Sequence, residues 1–368
     1  MLLESLIATF MKHLQYAIII HIAFVIGEAC MATKKYRIGE ELLHKKSLGK
    51  NTLTQNVVSK DGATNSWCGT FFHYTSPEGL IGILQNRHLY FTDCQYLNDY
   101  NERIQINSEL KKFWFIHKNE YDKDFYNLLS NEKISTYEDS EFAYIDGMED
   151  PISCRYFVLS ASRKEDSLDM WKYYAKNGTY DGYYINLNTY ALVDEWIDRD
   201  TGVAVEEGDV IYYSDDKQKR ILVEVEKLYD VWCKYKRSPE LDAKIHSEFK
   251  CWLSYASLFF KNECFAQEDE YRFIAIAPKD ELSSLTYEYK QKNIKMYDFR
   301  IVNGVIIPFI KMPICFWNEE ECWAITRIGI GPSLNSELKE KGIKQLLASL
   351  DYGFGEMSII KSEIPLRY

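Results

Sequence analysis

Apolar positions recur along this chain with two periods, and the changes of period divide it into strands and helices. Thr70 to Tyr74 is an aromatic-rich run that predicts a strand, Ser76 is placed to cap a helix with Pro77 in its first position, and Leu80, Ile81, Ile83 and Leu84 give that helix a buried face. His88 to Thr92 predicts a second strand, Asp99 to His117 a helix and Ser153 to Ser162 a buried strand. A short helix follows from an Asp166 cap to Lys176, ended by Asn177-Gly178, and Gly182 to Asn188 is again a strand. Two long helical patterns, Asp215 to Lys236 and Pro239 to Phe265, form a hairpin about Arg237-Ser238-Pro239. Strands return at Tyr271 to Ala277, Ser284 to Tyr289, Val302 to Ile310 and Thr326 to Gly331, then a helix from Pro332 to Leu350 and a strand from Ser358 to Lys361. Strands at both ends with helices between them predict an α+β fold.

The flanking and intervening segments read differently. Residues 1–30 hold an apolar run, Tyr16 to Gly27, too short for a comfortable membrane span and interrupted by His21. A secretory signal, a true start at Met31, and a helix docking on the body or on a partner are the three readings. Residues 31–69 are polar and predict an arm or linker before a folded body that spans 70–368. Lys118 to Asp150 is acidic and poor in apolar residues, which predicts solvated surface or a mobile insertion.

Composition narrows the picture. With 368 residues, 46% hydrophobic and 15% aromatic, the chain can bury a large core. A net charge of -11 argues against a broad basic surface for non-specific nucleic-acid binding. Nine scattered cysteines without a C-x-x-C pair indicate neither zinc site nor disulfide framework, which favours reduced thiols, a cytoplasmic protein, and the second or third reading of residues 1–30.

Several short words stand in a fixed order: Phe72-His73-Tyr74-Thr75, Leu97-Asn98-Asp99-Tyr100-Asn101-Glu102, Asp166 with Met170-Trp171 and Tyr174, and Glu268-Asp269-Glu270-Tyr271-Arg272. They resemble the H-Y-T, L-N-D-x-x-E, D-x-x-x-M-W-x-x-Y and E-x-E-x-R words of a widespread bacterial family of domains of unknown function, over about residues 70–368. That family in turn looks like a divergent branch of the ADP-ribosyltransferases, including toxins that modify nucleic acid. The resemblance implies a split β-sandwich core with the helical hairpin, about 215–265, inserted in it. It also implies NAD as co-substrate and no metal.

The resemblance makes Glu270 the ribose-binding catalytic carboxylate and Glu268 its acceptor-side helper. The residues suit that role, because cleaving the bond between nicotinamide and ribose develops positive charge on the sugar, which a fixed carboxylate stabilises. Alternate residues entering a strand share a face, which would bring the two carboxylates together; an exposed acidic loop, with Arg272 pairing with one carboxylate, is the plainer reading. By resemblance His73 hydrogen-bonds the adenosine ribose with Thr75 nearby, Tyr74 belongs to the same cofactor word although its face suggests core, and Ser160 and Ser162 form the serine strand. Tyr173, with Trp171 and Tyr174, offers stacking surface for nicotinamide, while Leu168, Trp171 and Tyr174 also make a helical stripe suited to the core. Amides at the Ser76 helix start could take a pyrophosphate, and Asp99 could simply cap the next helix.

The function expected is an NAD-dependent mono-ADP-ribosyltransferase acting as an intracellular toxin or phage-defence effector, with an RNA or single-stranded DNA acceptor, an antitoxin or inhibitor protein as partner, and no membrane. A local patch of Lys111, Lys112, Arg155, Arg163, Lys164 and Lys172 would receive the nucleic acid. A protein acceptor, an NAD glycohydrolase using the same residues, and a non-catalytic nucleotide-binding module are the alternatives.

Overall fold

The computed structural model describes residues 70–97, 102–135, 141–143, 151–174, 180–189, 192, 196, 201–235, 237–289, 291–314, 324–350 and 357–365. The leader read over 1–30, the arm over 31–69, and Asn98 and Asp99 lie outside the described residues.

Strand β1 (Thr70–Thr75), helix α1 (Pro77–Asn86) and strand β2 (His88–Asp93) open the described chain. Ser76 caps α1 by accepting from Gly79 N at 3.1 Å, and Arg87, left-handed at φ 55°, ends it. Leu80, Ile83 and Leu84 are buried, whereas Ile81 is exposed, so the apolar face is narrower than the sequence pattern suggests. Gly79 allows a close approach, since a Cβ there would overlap Thr75 Oγ1 and force that hydroxyl to turn away.

The helices α2 (Gln105–His117) and α3 (Lys123–Leu129) follow, then β3 (Glu141–Ala143), β4 (Ile152–Ser162), α4 (Leu168–Tyr174), β5 (Tyr183–Asn188) and β6 (Ala204–Asp209). The reading of 118–150 as solvated surface or a mobile insertion needs correction. Phe125 and Leu129 of α3 are buried, and β3 pairs with β4 while burying Glu141 against Arg103. The hairpin consists of α5 (Ser214–Lys234) and α6 (Pro239–Ala256), with α6 capped by Ser238 and ending well before Phe265. A 3-10 turn over Glu263–Glu268 leads into β7 (Glu270–Pro278). After it come β8 (Thr286–Tyr289), β9 (Lys292–Lys295), β10 (Tyr297–Val302), β11 (Val305–Pro313), β12 (Arg327–Ile330), α7 (Ser336–Ser349) and β13 (Ser358–Lys361). The single strand read over Val302 to Ile310 is thus the second half of a β10–β11 hairpin.

Eleven strands form one mixed sheet, antiparallel except for β12 and β13, so the α+β reading holds. Among the described residues no helix is long and apolar enough to cross a membrane. β4 is the pivot of the sheet. One edge pairs with β7 from Cys154 opposite Pro278 to Ser162 opposite Glu270. The other edge is shared: β3 at Cys154, β2 at Phe157 and Val158, and β1 at Ser162. β1 and β2 therefore diverge along β4, and no described strand pairs with residues 159–161 on that edge.

Side chains alternate across the sheet. Phe157, Leu159 and Ala161 face the main core with Phe71, Leu84, Phe91 and Phe273. On the other face Cys154, Tyr156 and Val158 pack with Ile274, Ile276, Leu258 and Phe259 below the end of α6. That apolar face turns polar at Ser160, Ser162, Glu270 and Arg272.

Candidate active site

At this polar end the cross-strand register sets Ser160 opposite Arg272 and Ser162 opposite Glu270. Glu270 is buried and fully engaged. Its Oε1 accepts from Arg272 Nε at 2.8 Å, and its Oε2 accepts from Arg272 Nη2 at 3.0 Å and from Lys261 Nζ at 2.9 Å. Burial works to raise its pKa, but Arg272 and Lys261, with the Ser160 hydroxyl, hold it well below the usual carboxylate range, at about 2. Arg272 also pairs with buried Glu102, and both carboxylates push its pKa up against the effect of burial. Lys261 Nζ reaches Glu268 Oε2 at 2.5 Å as well, and burial alone would lower its pKa, yet Glu270, Glu102 and Glu268 together raise it.

The two carboxylates do not meet by strand alternation. Glu268 closes the 3-10 turn and Asp269 is left-handed at φ 46°, so a backbone kink turns Glu268 back toward Glu270. The backbone is pinned on both sides: Ser162 Oγ donates to Glu268 O at 2.6 Å, and Glu270 N donates to Tyr212 Oη at 2.9 Å. Of the plainer reading, the exposed loop fails, since Glu268 and Glu270 are both buried, while the pairing of Arg272 with a carboxylate is present. Three carboxylates (Glu102, Glu268, Glu270) meet two cations (Lys261, Arg272), and burial raises the Glu102 pKa although Arg272 opposes it.

A cavity of about 420 Å³ opens beside this group, within the usual range of roughly 300–1,000 Å³ for ligand pockets. Val158 and Ser160 line it from one face of β4, Leu159 and Ala161 from the other, so it passes through the gap where β1 and β2 part. Glu268, Glu270 and Tyr174 stand at one side, and Tyr90, Thr92 and Arg300 belong to the strands across the gap. His73 lies between. Its Nδ1 is 2.9 Å from Ser160 O, a carbonyl on the stretch of β4 that β1 and β2 leave open, and burial holds its pKa down, with Arg300 adding to the effect. A neutral ring bonded there through Nδ1 is a donor fixed to the carbonyl with Nε2 left as acceptor.

Residues 170–273 match the family model described as Protein of unknown function (DUF2971). No curated protein and no solved structure matches the chain. The matched stretch, narrower than the span expected from the sequence words, starts at Met170 of α4 and ends at Phe273 of β7, so it holds Tyr174, Lys261, Glu268, Glu270 and Arg272.

The remaining expected site residues separate into two groups. Thr75 lines the cavity beside Gly79. Tyr74 touches it but is chiefly core: its ring packs edge-on against Trp171, and its hydroxyl is held by the main chain of Lys164, Glu165 and Ser167. Ser162 is fully buried on the Glu268 carbonyl and does not line the cavity. Tyr173 is exposed outside it, and Tyr174 takes its place, its hydroxyl 3.4 Å from Glu268 Oε1. Of the expected α4 stripe, Trp171 is buried but Leu168 is exposed, and Asp166 binds Trp171 Nε1, Ser362 and Glu363 N.

Two expectations about charge change. The α1 start has little left for an anion, because Pro77 has no N–H and Gly79 N is taken by Ser76. The basic patch is also reduced, since Arg155 pairs with Asp93 and Arg163 with Asp209. Besides Arg272, the site contains the cations Lys261 and Arg300, both absent from the sequence words.

Proposed function

We propose that the protein is an NAD-dependent mono-ADP-ribosyltransferase, an intracellular toxin or defence effector that modifies a nucleic-acid base. The observation that carries the reading is the placement of Glu270, ionised at neutral pH within a buried group of three carboxylates and two cations, at one side of a cavity that passes through a split in the sheet beside a neutral His73. The bond between nicotinamide and the ribose carbon breaks, nicotinamide leaves neutral with the electron pair, and the acceptor nucleophile forms the new bond to that carbon. The Glu270 carboxylate, held in place by Arg272 and Lys261, stabilises the positive charge that develops on the sugar, a contribution typically worth two to three powers of ten in rate. The acceptor proton passes to Glu268 or to solvent.

One observation favours a second reading, NAD glycohydrolase. Glu268, the acceptor-side residue, already has Oε2 engaged by Lys261 Nζ at 2.5 Å and Oε1 approached by Tyr174 Oη at 3.4 Å, so little of its carboxylate is open to a bulky acceptor and water is a competitor. Incubating the full chain with NAD labelled on the adenosine, together with pools of protein, RNA and DNA, tests both. Label retained on RNA or single-stranded DNA is the expected result; label on protein alone replaces the acceptor, free ADP-ribose alone establishes the glycohydrolase, and unchanged NAD removes the enzymatic reading and leaves a non-catalytic nucleotide-binding module.

A further inference from the structure

Arg300, on β10 next to the edge of the cavity, differs from the other enclosed guanidinium groups of this molecule. Arg272, Arg155 and Arg103 are each matched by a carboxylate, Glu270 and Glu102, Asp93, and Glu141 respectively. Among the described residues Arg300 pairs with no carboxylate. Its Nη2 donates to Thr92 Oγ1 at 2.7 Å, while its Nε is buried with no hydrogen-bond partner. The guanidinium lies 5.9 Å from the Tyr90 ring centre and 5.7 Å from that of Phe309, which hold the plane without neutralising the charge. Arg300, Tyr90 and Thr92 all line the cavity (Phe309 supports from outside it), and the position is set by β-register, because Thr92 pairs with Phe309 and Arg300 with Ile307.

We infer that Arg300 is the anion-receiving residue of this cavity and holds the pyrophosphate of a dinucleotide whose ribose end lies against Glu270. The inference rests on the reading of the cavity as an NAD site and extends it to a residue outside every sequence word. The cavity is then polarised along its length: three carboxylates to two cations on the β4–β7 side of the gap, a cation with no carboxylate partner among the described residues on the β2–β10 side, and a neutral His73 between them. A ligand positive at its sugar end and negative at its diphosphate matches that order. A guanidinium fork suits two phosphate oxygens, and the unpartnered Nε shows that the described protein groups do not use the full donor set of this side chain. The capped start of α1 cannot supply the same contact from Gly79 N.

The test uses the full chain with inorganic pyrophosphate, ADP and adenosine as calorimetric probes, alongside NAD turnover, on wild type, Arg300→Lys and Arg300→Met. The expected result is binding of pyrophosphate and ADP that falls about tenfold or more in Arg300→Met and returns in part in Arg300→Lys, with adenosine unaffected. For NAD, KM rises by about the same factor while kcat stays within about threefold. Should Arg300→Met melt far below wild type, Thr92→Val, which removes the orienting hydroxyl, carries the same expectation at smaller amplitude. Wild-type affinity for pyrophosphate and NAD in a folded Arg300→Met protein would overturn the inference and make Arg300 a packing residue of the sheet edge. Loss of pyrophosphate binding in a protein that neither binds nor consumes NAD would uphold the anion site and overturn only the dinucleotide reading.

Discussion

Lys261 Nζ lies 2.9 Å from Glu270 Oε2, and that contact joins the end of the helical hairpin to the first residue of β7. It gives the hairpin a role that a detachable insertion would not have. Lys261 stands just after α6, and its main-chain oxygen is in turn held by Lys217 Nζ of α5 at 2.6 Å. Replacing Lys261 by Met leaves Glu270 with Arg272 alone and Glu268 with no cation. Since Glu270 sits at about 2 through opposing burial and its two cations, removing one cation raises its pKa. The acid limb of kcat/KM should therefore move to higher pH in Lys261→Met, with kcat falling about tenfold to a hundredfold and KM for NAD nearly unchanged. A full pH–rate profile checks this, and an unmoved acid limb would show that Lys261 does not act through Glu270.

Glu270→Gln tests the carboxylate directly. Activity should fall at least about a hundredfold, the typical cost of removing one such electrostatic contact. The structure adds a second consequence that shape alone does not suggest: the amide leaves Arg272 and Lys261 buried with one counter-charge fewer. Breaking a buried pair of this kind costs about 3–5 kcal/mol, so the variant should melt measurably lower. Activity per folded molecule, with the folded fraction taken from denaturant titration, separates the two effects. Near-normal turnover in folded Glu270→Gln together with an inactive Glu268→Gln would reverse the roles of the pair.

The local pattern of the sequence carried β1, the Ser76 cap, α1, β2, β4 and β7 to within a residue or two, because each has its own period and punctuation. It could not carry β3, three residues whose Glu141 is buried only because Arg103 comes to meet it. Phe125 lies in the stretch read as acidic and poor in apolar residues, yet it packs on Tyr121, Tyr229 and Trp232, the last two from α5. Within the site, Glu268 and Glu270 were visible as a pair, but the left-handed Asp269 that turns them together was not. Lys261 and Arg300 each arrive singly from distant elements, and a lone cation carries no spacing signal.

His73→Ala should raise KM for NAD more than it lowers kcat, because the ring is proposed to hold the half of the ligand remote from the bond that breaks. Its Nδ1 contact also serves Ser160 O, on the stretch of β4 whose edge β1 and β2 leave open. Losing it should cost about 1–3 kcal/mol if water does not replace the ring. Kinetics and melting measured on the same preparation check the pairing of effects, and a destabilised variant with unchanged KM would make His73 a structural residue only.

Stability should fall in mild acid through His88. Burial, with Lys311 adding to it, lowers its pKa from 6.5 to about 4. The folded protein therefore keeps the ring neutral at pH values where the unfolded chain has already taken up a proton. The stabilisation is fully present above about pH 6.5 and is lost as pH falls toward 4. Denaturant titrations across that window should show a shallower decline in His88→Gln than in wild type, and parallel curves would contradict the assignment.

Salt dependence tests the nucleic-acid acceptor. With Arg155 and Arg163 neutralised by Asp93 and Asp209, the patch keeps Lys164 and Lys172 near the site, and Lys164 Nζ already donates to Gln267 O at 2.6 Å. Each phosphate contact with a single strand contributes about -0.7 to the slope of log affinity against log salt, so two or three contacts predict a slope no steeper than about -2. A base must be unstacked to be modified, hence single strands should label faster than duplexes. Lys164→Gln with Lys172→Gln should flatten the slope while leaving NAD consumption without acceptor intact. A slope several-fold steeper than this would place the acceptor on a basic surface other than this patch, and labelling confined to protein under conditions where NAD is consumed would replace the nucleic acid with a protein acceptor.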